Sequence, residues 1–492
     1  MAAHTSKLQW FMPSVEVMVF VLIFWTSLLF MPQMMNGDGD LGRHITLGNY
    51  MLDNKTIPTT DLFSHTMAGT FMVPHEWISQ ILFALAHRVA GLNGVAWLTA
   101  LLIAGTYAGI TAVLNHIGVR AFLSLAGGLF ASMVGALHTL TRPHLYTLLF
   151  FALTLLILES YRHRHKWRVL LWLLPLMIIW ANTHGAFISG LVLVSLYGVG
   201  AVLDKRWREA GIYFLFLPLL LAAAWLNPTG MALLRNSFGY LQEDFLVDLT
   251  IEYRSPNFHA ISTWPFAALL LGSLAFGWWS GRRLSFTAIG LLGVWTAFAL
   301  YSARNIPLYG LVAVVLLLPE VDKWLDEVWP RIGRFLGRTD AIASQSWGWM
   351  WAVVVVAVLV AQEASGAKLD VFRAGNSFDP ERFPIAALDA LKDDLPEGLM
   401  FNEFGWGGYL LYRLWPQKLV FIDAQTDFYG EALTREFLQI ANAEGNWQAQ
   451  LAQHDVQWII IPPTRPLAKW LPQNPDWRLV YEDETAVIWV KQ

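Results

Sequence analysis

Apolar residues in this chain gather in long runs, and the polar segments between them are short and unevenly charged. A helix needs about 20 mostly apolar residues to cross the hydrocarbon of a bilayer. Runs approaching that length fall near 12–32, 94–115, 121–138, 144–160, 168–181, 186–203, 209–226, 264–279, 284–302, 306–318 and 347–363. The pattern predicts a polytopic α-helical membrane protein with about eleven transmembrane helices. The first run, Phe11 to Met31, is long enough to span and lacks a small-residue cleavage pattern, so it reads as a retained signal-anchor helix.

The pattern changes after the last run. Residues 367–492 are far more polar, with short apolar stretches at Leu399–Phe401, Leu419–Ile422, Trp458–Ile461, Arg478–Tyr481 and Ala486–Val490. Bounded by turn signals, these read as strands, with helical stretches near 384–394, 431–442 and 446–453. The expected plan is a transmembrane domain over 1–366, with long loops at 33–93 and 227–263, and a C-terminal soluble α/β domain over 367–492. The first long loop begins with a helical stretch from Asp40 to Asp53 and turns through Ile57–Asp61. It re-enters the bilayer through Pro74-His75-Glu76-Trp77 and an amphipathic stretch near 78–91 that reads as an interfacial helix.

Charge orients this plan. With the N-terminus in the cytoplasm, the inside loops hold Arg162–Arg168, Asp204–Arg208, Arg282-Arg283 and the stretch with Lys323, Arg331, Arg334 and Arg338. Those are the Lys/Arg clusters of the membrane region, as the positive-inside rule requires. The C-terminal region then lies outside, which predicts an inner (plasma) membrane protein of a bacterium with a periplasmic or extracellular domain. Composition agrees: of 492 residues, 55% are hydrophobic and 14% charged, and 25 are Trp, a residue favoured at membrane interfaces. A net charge of −4 gives no sign of nucleic-acid binding, and the absence of cysteine excludes disulfides, thiol nucleophiles and cysteine metal sites.

Ionisable residues collect at the outside ends of the spans. In Asp38-Gly39-Asp40-Leu41-Gly42-Arg43-His44, a helix starting at Asp40 sets Asp40 and His44 on one face. The helix dipole favours an ionised Asp40, which could take a proton from a hydroxyl nucleophile. Alternatively Asp40 is an N-cap and His44 its partner. His75 and Glu76 could orient a polar ligand or anchor the loop at the interface. Arg142, in Arg142-Pro143-His144, needs a partner so close to hydrocarbon, as do Arg235, Arg254 and Arg304. A guanidinium suits a lipid phosphate, and pairing with the loop acids is the alternative. His184, in the turn Asn182-Thr183-His184-Gly185, would line the same cavity or act as a hydrogen-bonded structural residue.

An Asp at the outer end of the first span, with His four residues on, resembles the first-loop signature of the GT-C membrane glycosyltransferases. Gly48-Asn49-Tyr50, Ile57-Pro58, Asp61-Leu62-Phe63-Ser64 and His75-Glu76-Trp77 resemble bacterial members of that group. Phe401–Tyr409, followed by Val420-Phe421-Ile422-Asp423, is similar to the tryptophan–aspartate–tyrosine–glycine block of oligosaccharyltransferases. Asn402-Glu403 replaces that block's paired tryptophans, and Phe404 stands where its Asp would be. Arg142-Pro143-His144 lies where the family's second-loop pair of metal-binding acids would be expected.

The resemblance implies a transferase moving a sugar from a polyprenyl-phosphate-linked donor to a glycan, lipid or protein acceptor at the outer face. Asp40 would be the general base, with Asp38 and His44 beside it. Arg142, His144, Arg235, Arg254, Arg304, His75, Glu76 and His184 would bind substrate and lipid phosphate, and Asn402, Glu403 and Trp406 would face the acceptor. No cofactor is indicated, and a divalent metal remains open. A transporter or flippase of lipid-linked sugars and a non-catalytic membrane assembly protein are the alternatives.

Overall fold

The computed structural model describes residues 13–239, 245, 251–280, 284–343, 349–364 and 376–492. The start of the first apolar run and the cluster Arg282-Arg283 lie outside them. The membrane part is built from α1 (Val15–Leu29), α2 (Met31–Asn36), α3 (Leu41–Asn54), α4 (Trp77–His116), α5 (Ala121–Gly135), α6 (His144–Arg164), α7 (Leu173–Ala181) and α8 (Ile188–Leu203). It continues through α9 (Trp207–Ala224), α10 (Met231–Gly239), α11 (Trp264–Trp279), α12 (Phe286–Tyr301), α13 (Ile306–Val328), α14 (Pro330–Ala343) and α15 (Trp349–Ala364).

Among the described residues, seven helices are long and apolar enough to cross a membrane, against the eleven or so expected. The segments Val15–Leu29, Trp167–Ala181 and Phe286–Tyr301 are apolar but shorter. Each of these three has fewer than 18 residues, and the run near 347–363 begins outside the described residues. Large apolar side chains such as Leu271, Leu274 and Trp278 on α11 are exposed, as lipid-facing positions are. The amphipathic stretch near 78–91 is continuous with the following span and joins it at a break. Gly91 there has φ of 58°, a conformation that glycine adopts without a Cβ penalty.

The two ends of the bundle differ chemically. At 1.5 Å rise per residue, the 21 residues of α6 put His144 and Arg164 about 30 Å apart. At the end with Arg164, Arg162 donates to Ser285 Oγ (3.0 Å), and Asp204 accepts from the backbone N–H of Phe286 (2.8 Å) at the start of α12. The end with His144 carries the long loops and the C-terminal region.

Residues 376–492 form a four-stranded sheet of β1 (Leu399–Asn402), β2 (Val456–Ile461), β3 (Trp477–Glu482) and β4 (Val487–Lys491), in the order β1-β2-β4-β3. β1 and β2 are parallel, and the other pairs are antiparallel. Helices α16 (Ile385–Ala390), α17 (Gly407–Leu414), α18 (Thr426–Ala441), α19 (Trp447–Gln453) and α20 (Pro466–Trp470) complete it. The apolar stretch at 419–422, expected as a strand, forms only a bridge between Ser64 and Val420. Val420 N–H donates to Phe63 O (3.0 Å) and Val420 O accepts from His65 N–H (3.0 Å), so its backbone pairs with the first loop and not with the sheet.

That pairing belongs to a wider interlock. Leu47, Met51, Phe63 and Met72 share one core with Tyr409, Val420, Trp458 and Ile488. The C-terminal region is therefore completed by residues that precede it by more than three hundred positions. Two glycine pairs allow the approach. A Cβ on Gly42 would meet the carbonyl oxygen of Gly408, and a Cβ on Gly408 would meet that of Gly39. The N-terminus of α17 thus lies backbone to backbone on the N-terminus of α3, where Asp40 stands.

Candidate functional site

Asp40 occupies the N-cap position of α3, and its side chain makes no capping hydrogen bond. It turns instead to Arg142, whose Nη2 lies 2.6 Å from Asp40 Oδ2. Arg142 Nε pairs with Asp38, and Nη1 lies 3.3 Å from Glu252 Oε1. One guanidinium therefore gathers three carboxylates from two separate segments: the first loop's two and one from the second long loop. The second loop is pinned there because Ser302 Oγ donates to Glu252 O (3.1 Å) and Ala303 N–H to Arg254 O (3.0 Å).

The electrostatics differ from the sequence expectation. A helix dipole alone would keep Asp40 ionised. Its side chain is only 16% exposed, and burial pushes the carboxyl up to about 7. Asp423 and Glu76 add to the rise, whereas the Arg43 guanidinium opposes it. The ion pair with Arg142 works in the same direction as Arg43. A carboxyl poised near neutrality can accept a proton and return it, as general-base catalysis requires. For Glu252, burial favours the neutral form, but His138, Arg142 and Arg304 outweigh it and hold the carboxyl below its ordinary range.

A second cluster surrounds Glu76, just before α4. His44 Nδ1, His75 Nε2 and His184 Nε2 lie 3.9, 3.7 and 3.8 Å from its carboxylate oxygens. Burial raises Glu76's proton affinity, opposed first by His75. Burial, with Arg43 beside it, pushes His44 down to about 3, so its ring is neutral. His44 is also 3.4 Å from Gln80 Nε2. His184 is held well below the ordinary histidine range by burial and by Arg304. Its Nδ1 accepts from Ala186 N–H (3.3 Å) and lies 2.9 Å from Thr147 Oγ1. That leaves the ring proton on Nε2, facing Glu76. The cluster sets hydrogen-bonding groups around one carboxylate, with the His44 and His184 rings neutral.

Other expected residues fall into place unequally. Arg304 pairs with the Tyr253 hydroxyl, packs over its ring and reaches within 3.5 Å of His184 Nε2. His144 is buried, with Nε2 3.1 Å from His138 O and its ring against that of His138. Arg235 is exposed on α10 and enters none of these ion pairs, and Arg254 is exposed beside Tyr253. Asn402 is fully buried. Its Nδ2 donates to Ile422 O (2.8 Å), and its Oδ1 accepts from Phe421 N–H (2.7 Å), which ties β1 to the 421–422 segment. Glu403 pairs with Arg465, and Trp406 Nε1 donates to Arg382 O (2.7 Å). The polar atoms of these three are taken up within the C-terminal region, so they shape the wall behind Gly405 and Gly408.

Two residues outside the expected set complete the site. Arg43 Nε donates to Asp423 Oδ2 (3.1 Å), and both are almost fully buried. Asp423's proton affinity is raised by burial and lowered by Arg43. The signal for Arg43 was present, a charge in the first-loop motif, and Asp423 was visible as an Asp ending an apolar stretch. Their pairing across 380 positions had no local trace.

No protein-family model matches the chain, and no curated protein matches it. Its fold is shared with solved membrane glycosyltransferases. The oligosaccharyltransferase of Archaeoglobus fulgidus, tethered to an acceptor peptide containing an NVT sequon, superposes with TM-score 0.58 at 11% identity, over 96% of this chain and 74% of that one. The same protein, AglB, in complex with an inhibitory peptide and a dolichol-phosphate, gives 0.56 over the same shares at 11% identity. The arabinofuranosyltransferase AftD from mycobacteria gives 0.55 at 12% identity, over 96% of this chain and 40% of that one. The resemblance to the GT-C glycosyltransferases read in the first loop thus extends to the whole fold.

Proposed function

We propose that this protein is a GT-C-type glycosyltransferase that moves a sugar from a polyprenyl-phosphate-linked donor to an acceptor hydroxyl at the outer face of the membrane. The observation that carries the proposal is Asp40: a largely buried carboxyl poised near 7, at the N-terminus of α3, with Arg142 on one side and the C-terminal region on the other. The shared fold supports the class, since AglB is described with a dolichol-phosphate and AftD as an arabinofuranosyltransferase.

In this reading the prenyl chain stays between the apolar helices. Arg304, over Tyr253 and beside His184, takes the phosphate, and the sugar hydroxyls meet Glu76 with His44, His75 and His184. The acceptor enters against the wall formed by Asn402–Gly408. Its hydroxyl oxygen bonds to the anomeric carbon as the bond from that carbon to the phosphate oxygen breaks. The electron pair leaves with the phosphate, and the hydroxyl proton passes to Asp40. Attack from the face opposite the departing phosphate inverts the anomeric centre, as in inverting sugar hydrolysis. Charge developing on the phosphate is met by a guanidinium already in place.

Mass spectrometry of lipid bound to the purified protein tests the class. A polyprenyl phosphate or its sugar conjugate is the expected result. Flux of a lipid-linked sugar in proteoliposomes, with no covalent transfer to any acceptor, would overturn the reading in favour of a flippase.

A further inference from the structure

Resting on the reading above, we propose that Arg142 fills the position that a divalent cation would take in this pocket, and that the transfer runs on a guanidinium with no metal ion. Arg142 sits in the tight turn before α6, where its N–H donates to Leu140 O (2.9 Å) and its carbonyl accepts from Leu145 N–H (3.2 Å). Both backbone ends are therefore fixed, and the side chain points at three acids. Asp38, Asp40 and Glu252 each take a different nitrogen of the guanidinium.

Geometry separates this arrangement from a metal site. Mg²⁺ and Ca²⁺ need their oxygen ligands to converge on one point at about 2.0–2.6 Å. Here the carboxylates spread around the rim of a planar group whose own atoms occupy that point. Among the described residues, no group of three or more His, Asp or Glu could hold a metal ion. The chain also carries Arg142-Pro143-His144 where the resemblance would have placed acids. A cation has replaced a ligand, and it supplies the charge that the ligand would have recruited.

The substitution has chemical consequences. A guanidinium stays charged at any working pH and cannot be chelated. Placed 2.6 Å from Asp40, it favours the base form against burial. It also ties the two long loops together, since Asp38 belongs to the first and Glu252 to the second.

The test uses the full-length protein in detergent or nanodiscs, with Mn²⁺ as the probe and no donor or acceptor. Electron paramagnetic resonance should show no protein-bound Mn²⁺ in the wild type, and the thermal midpoint should be the same in EDTA and in Mn²⁺. Arg142→Gln removes the group that holds the three carboxylates apart, so they can close on its centre, and the variant should gain one Mn²⁺ site together with a Mn²⁺-dependent rise in midpoint. Arg142→Lys, which keeps the charge, should gain neither. A wild-type protein that holds one Mn²⁺, and whose midpoint falls when EDTA removes it, would overturn the proposal whether or not the variants can be purified. An Arg142→Gln protein that folds but gains no Mn²⁺ would also count against it. Failure of the glycosyltransferase reading shows elsewhere, as absent transfer, and leaves these binding results intact. Transfer that EDTA abolishes would support the function while overturning the metal-free inference.

Discussion

Two carboxylates in the site carry different burdens. Asp40 titrates near 7 in the free protein, so its base form grows as pH rises through that value. The profile of kcat/KM should therefore climb from about pH 6 to pH 8, with its acid limb centred near 7. Glu76 lies beside His44, His75 and His184, and in the proposed mechanism it accepts from sugar hydroxyls. Glu76→Ala should raise the donor KM roughly ten- to a hundredfold, the loss of a hydrogen bond to a charged group worth about 1.5–3 kcal/mol. Titration of donor concentration at saturating acceptor measures it. The Arg43–Asp423 pair is buried on both sides. Asp423→Ala strands a buried guanidinium and should destabilise the protein by about 3–5 kcal/mol. The double variant Arg43→Met/Asp423→Leu should recover most of that loss in a thermal unfolding series. Recovery would mark the pair as structural.

At the scale of elements, the decisive contact is the crossing of α3 and α17. Gly39, Gly42 and Gly408 bring two helix N-termini together without side chains between them. Gly408→Val inserts atoms against a backbone carbonyl and should cost about 1–3 kcal/mol. Because the crossing forms the wall behind Asp40, transfer should fall further than stability does, which parallel assays of midpoint and turnover can separate. The sequence made the runs and their ends legible, since bilayer thickness sets a length that shows without alignment. Asp40, Arg142 and Glu76 stood out for a related reason: charge beside hydrocarbon is costly, so it marks itself. The crossing was not legible. Gly39 and Gly42 carry no local sign of it, because their partners lie more than three hundred and sixty positions away. Asn402, Glu403 and Trp406 drew attention through a motif, while the structure gives their polar atoms to internal bonds. A local pattern cannot distinguish a side chain facing a ligand from one facing its own fold.

Across the whole molecule, the arrangement is asymmetric. At one end of the bundle short polar loops pair acids with bases, as Arg206 does with Asp204 and Glu209. The other end is opened by two long loops and roofed by a region that borrows its core from the first of them. That roof brings four stretches far apart in sequence around Asp40: the first loop, the turn at Arg142, the loop at Glu252 and the C-terminal segment at Asp423. The same end carries the Glu76 cluster, so the proposed base, the Arg142 guanidinium and the histidines around Glu76 lie close together. The most direct test is sugar transfer in proteoliposomes supplied with a polyprenyl-phosphate sugar, comparing wild type with Asp40→Asn of matched insertion and thermal midpoint. The account predicts that the variant keeps donor binding and loses transfer by roughly 10²- to 10⁴-fold. Transfer by Asp40→Asn at the wild-type rate would contradict it.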